Sequence, residues 1–136
     1  MLPTGLPDIV GDDEDLARFL TQGNQYNSLM AKPAAFLPNP KDRETSVSRH
    51  GREPVDQLWA IGIQAAGHRS LHGAAIFKGR TVRAARLEVL ADEPPLRHAA
   101  IRKWPWLEND PDEQRARQKE MAAVIASQAP FFPKLN

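Results

Sequence analysis

The chain has 136 residues, 41% hydrophobic and 26% charged, with a net charge of +1. That length suits one domain with one core, and the complete lack of cysteine excludes disulfides, thiolate nucleophiles and cysteine-ligated metals. No apolar run reaches the roughly 18 residues of a membrane span, and the opening MLPTGLPDIVGDDEDL lacks the basic flank of a secretory signal.

These features fit a reducing cytoplasm, the expected location, and point away from a membrane span. Nineteen alanines, and twelve arginines against six lysines, fit the coding bias of a GC-rich bacterium. The small net charge hides a segregation. Residues 1–40 sum to −3, residues 41–103 to +5 and residues 104–136 to −1. A basic block between acidic ends attracts phosphate or an acidic partner, unless the fold pairs its charges internally.

Residues 1–11, rich in Pro and Gly, read as a loose N-terminal arm. Asp12 to Leu20 reads as a short helix, with acids in its first turn and Leu16, Phe19 and Leu20 on one face. AAFLP is a brief strand at most, closed by the turn Pro38-Asn39-Pro40. Glu44 to His50 alternates with period two, which directs Thr45, Val47 and Arg49 inward and Glu44, Ser46, Ser48 and His50 outward.

The stretch from Pro54 to Pro94 contains no interior proline, although the chain has twelve. It reads as the organising core of the domain. Pro54 opens an amphipathic helix with Asp56 in its first turn, and Val55, Leu58, Trp59, Gly62, Ile63 and Ala66 form its apolar face. Gly62 inside that face predicts close approach of another backbone, and Gly67 is the expected C-terminal cap.

A hairpin should follow: Ala74–Phe77, a turn at Lys78-Gly79, and a return strand Thr81–Leu90 with a bulge at Ala84-Ala85. HAAI is an extended segment. The last helix starts at Asp110-Pro111-Asp112-Glu113, a capping box, with Met121, Val124 and Ile125 as its apolar stripe. Residues 130–136, containing Pro130-Phe131-Phe132-Pro133, form an aromatic tail.

The runs AFLPNPKDRETSVSRHG, LHGAAIFKGRTVRAARLEV and EPPLRHAAIRKWPW together resemble a family of small uncharacterised bacterial proteins. These runs extend over most of residues 34–106, and the resemblance implies an intact single domain; the length sets its expected bounds at 1–136. It names no cofactor, substrate or activity.

The established loop signatures for phosphate binding are absent, as are GxSxG and HExxH. His68 and His72 sit between Gly67 and Gly73 without a carboxylate at ligand spacing, so neither a metal nor a cofactor is expected. Three sets of residues remain as candidates.

Arg49, His50, Arg52, His72 and His98 could supply the acid, base and cations of a metal-independent RNA-cleaving or phosphate-handling enzyme. The same pattern also describes the solvated face of an edge strand. Arg80, Arg83, Arg86, Arg102 and Lys103, followed by Trp104 and Trp106, could track and stack a single-stranded nucleic acid. Solvated arginines beside packed tryptophans look the same in sequence. Trp104, Trp106, Phe131 and Phe132 could anchor a protein partner, or fold back over the sheet.

The expectation is an α+β domain, a small and mostly antiparallel sheet with a central amphipathic helix and a C-terminal helix. Its expected role is a binding or accessory module acting on a macromolecular partner, with protein favoured over nucleic acid. The alternative is the enzyme built on His50 with Arg49 or Arg52.

Overall fold

The structure, a computed structural model, describes residues 2–49 and 54–135. Six strands form one fully antiparallel sheet: β1 (Asp15–Leu20), β2 (Thr45–Ser48), β3 (Gly73–Lys78), β4 (Glu88–Ala91), β5 (His98–Arg102) and β6 (Phe131–Pro133). The helices are α1 (Val55–Ala66), α2 (Gly79–Ala84) and α3 (Pro111–Ala126). The strand order is β4-β5-β2-β1-β3-β6. The chain is thus α+β, with the antiparallel sheet and both flanking helices in place.

The alternation of β2 is as its sequence reads. Thr45, Val47 and Arg49 are buried on the inner face. They join Leu16, Leu20, Phe77, Ala99, Ile101 and Val89 in the main core, which α3 closes with Ala122, Ile125 and Ala126. The buried stripe of α3 is Gln118, Ala122, Ile125 and Ala126, while Val124 is 38% exposed. Small alanines rather than Met121 and Val124 let this helix lie close on the sheet. Half of the expected capping box forms: the Asp110 side chain accepts from Glu113 N at 3.2 Å, with Pro111 in the first turn, while Asp110 N donates to Leu107 O and the Glu113 carboxylate accepts from Arg117.

The opposite sheet face is thinner, because Ala17, Ala74 and Ala100 contribute only methyl groups to it. Here α1 lies down through Leu58, Gly62 and Ala66 alone, leaving Val55 and Ile63 exposed. A Cβ at Gly62 would stand 2.6 Å from Phe19 Cδ1 and 2.8 Å from Leu71 Cδ2. The close approach is therefore to two side chains, not to a second backbone. Gly67 caps the helix at φ 63°, its N–H donating to Ile63 O.

Three expected elements are corrected. Residues 15–20 are the strand β1, not part of a helix from Asp12 to Leu20. Leu16 and Leu20 bury on one face while Ala17 and Phe19 meet α1 on the other, the two-sided burial of an interior strand. The acids before it serve as ion-pair partners. Asp12 pairs with Arg83, Asp13 with Arg80, Glu14 with Arg49 and Asp15 with Lys78.

Residues 74–90 are likewise not a hairpin. Gly79–Ala84 is the short helix α2, which buries Thr81 and Val82 and is followed by buried Ala85. β4 then pairs with β5, at the far edge of the sheet from β3. A turn at Lys78-Gly79 is blocked because Gly79 is pressed against the N-terminal segment, where a Cβ would meet Gly11 O at 2.2 Å. The apolar phase change at Ala84-Ala85 marks helix spacing rather than a bulge. AAFLP is not a strand either: Pro33–Ala35 forms a 3-10 turn.

The arm of residues 1–11 is tied down at several points. Thr4 Oγ1 donates to Glu93 Oε2 at 2.5 Å, Pro7 O accepts from Arg49, and Val10 is 1% exposed. At the other end, Phe131 enters β6 and stacks on Tyr26 with ring centroids 4.0 Å apart.

Candidate functional site

The sheet has a weak seam. β1 and β2 share a single register pair, Ala17↔Ser48, whereas β1 and β3 pair along six residues. The sheet is therefore two three-stranded halves, β4-β5-β2 and β1-β3-β6, touching at one point. Beyond that point a side chain does what a ladder would do: Arg18 Nε donates to Ala35 O and Nη1 to Ser46 O, both at 2.9 Å.

A cleft of about 910 Å³ opens over this seam. Its floor includes Arg18, Phe19, Ser46, Val47 and Ser48, so it reaches residues of both sheet faces. Its wall is the side of α1 bearing Gln57, Ile61, Gln64 and Ala65, adjacent to the stripe that packs. Loops carrying Leu37 to Pro40 and Pro95 to Arg97 form the rims. Helix α1 leaves this space because Gly62 settles it over Phe19, on the β1 side of the seam.

Arg18 is the unusual group in the cleft. It is mostly buried, and no carboxylate pairs with it among the described residues. Burial lowers its pKa from 12.5 to about 10, and the nearby Arg69 guanidinium pushes in the same direction. At neutral pH the group keeps its charge, so the fold carries an unfavourable term of roughly 3 kcal/mol at 1.36 kcal/mol per pKa unit. Two of its five N–H donors are used by Ala35 and Ser46. The others have no protein acceptor among the described residues.

Ser48 adjoins it, 7% exposed, with an Oγ that also has no partner among the described residues. Arg69 follows the α1 cap and is held there by Nε donation to Ala66 O at 3.1 Å, where the helix C-terminus favours a cation. The one acid in the lining among the described residues, Glu44, accepts from Arg102 Nε.

Of the enzyme candidates, the described ones, Arg49, His72 and His98, do not share one place. Arg49 is 1% exposed, and its guanidinium bonds Glu14 at 2.5 and 2.8 Å and Pro7 O at 2.7 Å. The Glu14 hydrogen bond outweighs burial and raises its pKa. His50 and Arg52 lie outside the described residues. His98 lines the cleft, its Nδ1 donating to Asp92 O at 2.9 Å, which leaves Nε2 as the acceptor nitrogen of the ring. His72 is bonded to the Tyr26 hydroxyl at 2.9 Å and precedes β3, three strand positions from β5, or about 14 Å at the usual spacing. His72 and His98 therefore belong to different places.

The nucleic-acid candidates are largely neutralised. Arg80 and Arg83 bond Asp13 and Asp12, and Arg102 bonds Glu44. Arg86 and Lys103 are exposed at positive φ, 65° and 75°, each closing an element. The aromatic candidates do not form one patch. Trp104 is 4% exposed in the core, and Trp106 is partly buried against it with the Arg43 guanidinium 4.7 Å from its ring centroid. Phe131 is buried, while Phe132 is 48% exposed at the β6 edge.

Among the described residues, no group of three or more His, Cys, Asp or Glu side chains could hold a metal ion, and no helix is long and apolar enough to cross a membrane. Comparisons with protein-family models, with curated proteins and with solved structures find no match for this chain.

Arg18 was missed from the sequence because it fell in a stretch read as a helix. The signal was present in Leu16-Ala17-Arg18-Phe19-Leu20. In a strand, Arg18 shares the inward parity of Leu16 and Leu20.

Proposed function

We propose that this chain is a binding module that receives an extended segment of a protein partner in the seam cleft. The observation that carries this reading is the composition of the cleft wall. Gln57 and Gln64 fall two helical turns apart on α1, with Ile61 between them and Gln25 and Asn39 also in the lining. Side-chain amides offer both donors and acceptors, as a peptide backbone requires, and Leu37, Ile61 and Leu96 supply apolar contact.

A protein partner is favoured over nucleic acid because Arg80, Arg83 and Arg102 already have carboxylate partners. A binding role is favoured over catalysis because Arg49 is held by Glu14 and Pro7, while His72 and His98 lie apart. The cysteine-free composition is compatible with work in a reducing cytoplasm.

The test is a photo-crosslinking residue placed at Gln64, on the cleft wall, compared with one at Lys119, on the exposed side of α3. Irradiation in cells followed by mass spectrometry should give one defined protein adduct from position 64 and none from 119. Identical adducts from both positions, or none from position 64, would count against the reading.

A further inference from the structure

We infer that the floor of the seam cleft is a binding site for an oxyanion of the phosphate class, formed by Arg18, Arg69 and Ser48. It rests on reading the cleft as the binding site and names the chemistry recognised there.

Three features meet in one cleft. Arg18 has N–H donors free of any protein acceptor among the described residues, in a cleft wide enough to admit a ligand. Ser48, 93% buried, lines the same cleft, and its Oγ has no partner among the described residues. Arg69 lines it too, and its positive charge acts on Arg18 with no acid between them to relieve the repulsion.

Buried hydroxyls and guanidinium donors are normally satisfied, so groups at a cleft floor with no protein partner are placed to bond a ligand there. Two guanidinium groups facing one space are neutralised better by a phosphate near −2 than by a carboxylate at −1. Planar N–H forks also match phosphate oxygens directly. Glu44, the acid in the lining, does not oppose this, because its charge is met by Arg102. No bond is made or broken in this step; the site holds its ligand by charge-assisted hydrogen bonds.

The experiment is a titration of the whole chain with inorganic phosphate, followed by ¹H–¹⁵N NMR of the backbone and the arginine Nε–H groups. Ionic strength is held constant, and acetate serves as the monoanionic comparison. Saturable shifts should centre on Arg18, Ser48 and Arg69, with acetate at least about tenfold weaker.

Arg69→Gln and Ser48→Ala keep the two backbone bonds of Arg18. Arg69→Gln should weaken phosphate about tenfold, the value of one charge-assisted hydrogen bond, and Ser48→Ala severalfold. Lys119→Gln should change nothing.

Shifts spread over exposed cations such as Arg86 and Lys103, equal affinity for acetate, or unaltered binding in Arg69→Gln and Ser48→Ala would each overturn the inference. Phosphate binding without a crosslinked partner would leave this site standing and remove the protein-segment reading. A crosslinked partner with no phosphate response would do the reverse.

Discussion

The pair between Glu14 and Arg49 offers a direct measure of how the acidic N-terminal region holds the basic middle of the chain. Arg49 has a side chain with 0% exposure, and Glu14 is 20% exposed. Glu14→Ala leaves the guanidinium with Pro7 O as its one bonded partner among the described residues. Removing one member of a buried pair costs about 3–5 kcal/mol. Because water reaches the Glu14 side, the lower end of that range applies, about 3 kcal/mol. For a domain of this size 1 kcal/mol corresponds to about 3–4 °C in Tm, so the melting temperature should fall by roughly 10 °C. Thermal unfolding followed by circular dichroism, together with urea titration, measures both quantities. The double variant Glu14→Met with Arg49→Met removes both charges and should recover most of the loss, since buried pairs are often replaceable by apolar side chains. A Glu14→Ala loss below about 1 kcal/mol would refute the reasoning, as would a double variant as unstable as the single one.

Other consequences follow from the same geometry. Gly62→Ala gains about 1 kcal/mol in helix propensity but forces a methyl group against Phe19, an overpacking cost of about 1–3 kcal/mol. It should lower Tm and shift the Phe19 ring signals, and a clear stabilisation would show that α1 is not seated there. For Glu93, burial pushes the pKa up, but hydrogen bonds from Thr4 and Arg97 outweigh it and hold the carboxyl below 4.5. Its contribution is therefore present above about pH 4.5 and lost as pH falls through the lower folded value. Exchange protection of the Thr4 amide should disappear over that acidic range, and at all pH values in Glu93→Ala. Arg18 has the opposite sense. Its folded pKa of about 10 lies below 12.5, so the unfolded chain binds the proton more tightly. Wild type should gain stability relative to Arg18→Met as pH rises through about 10, and a constant difference in urea titrations would contradict the burial of this charge.

Much of the fold was legible because some residues carry a local requirement. The inward set Thr45, Val47 and Arg49, the Asp110 cap and Gly67 each followed from alternation, capping chemistry or positive φ. What failed had a non-local cause. Asp12 to Asp15 look like the acidic first turn of a helix, yet their partners are cations far along the chain, at positions 49, 78, 80 and 83. Lys78-Gly79 looks like a hairpin turn, but Gly79 is small because Gly11 presses against it. The cleft was illegible for the same reason. It exists where β1 and β2 fail to pair, and a missing ladder between strands distant in sequence leaves no periodic mark. Segregated charge suggested a surface field for a partner. In the fold, much of that charge is met internally, while Arg18, from the acidic third of the chain, has no ion-pair partner among the described residues.

Diffraction from crystals grown with and without phosphate tests the central claim most directly. The account predicts tetrahedral density about 3 Å from the free Arg18 nitrogens and Ser48 Oγ, with Arg69 turned toward it, in the phosphate crystals only. A cleft closed by α1 seated over the seam, or Arg18 paired with a carboxylate of its own chain, would contradict it.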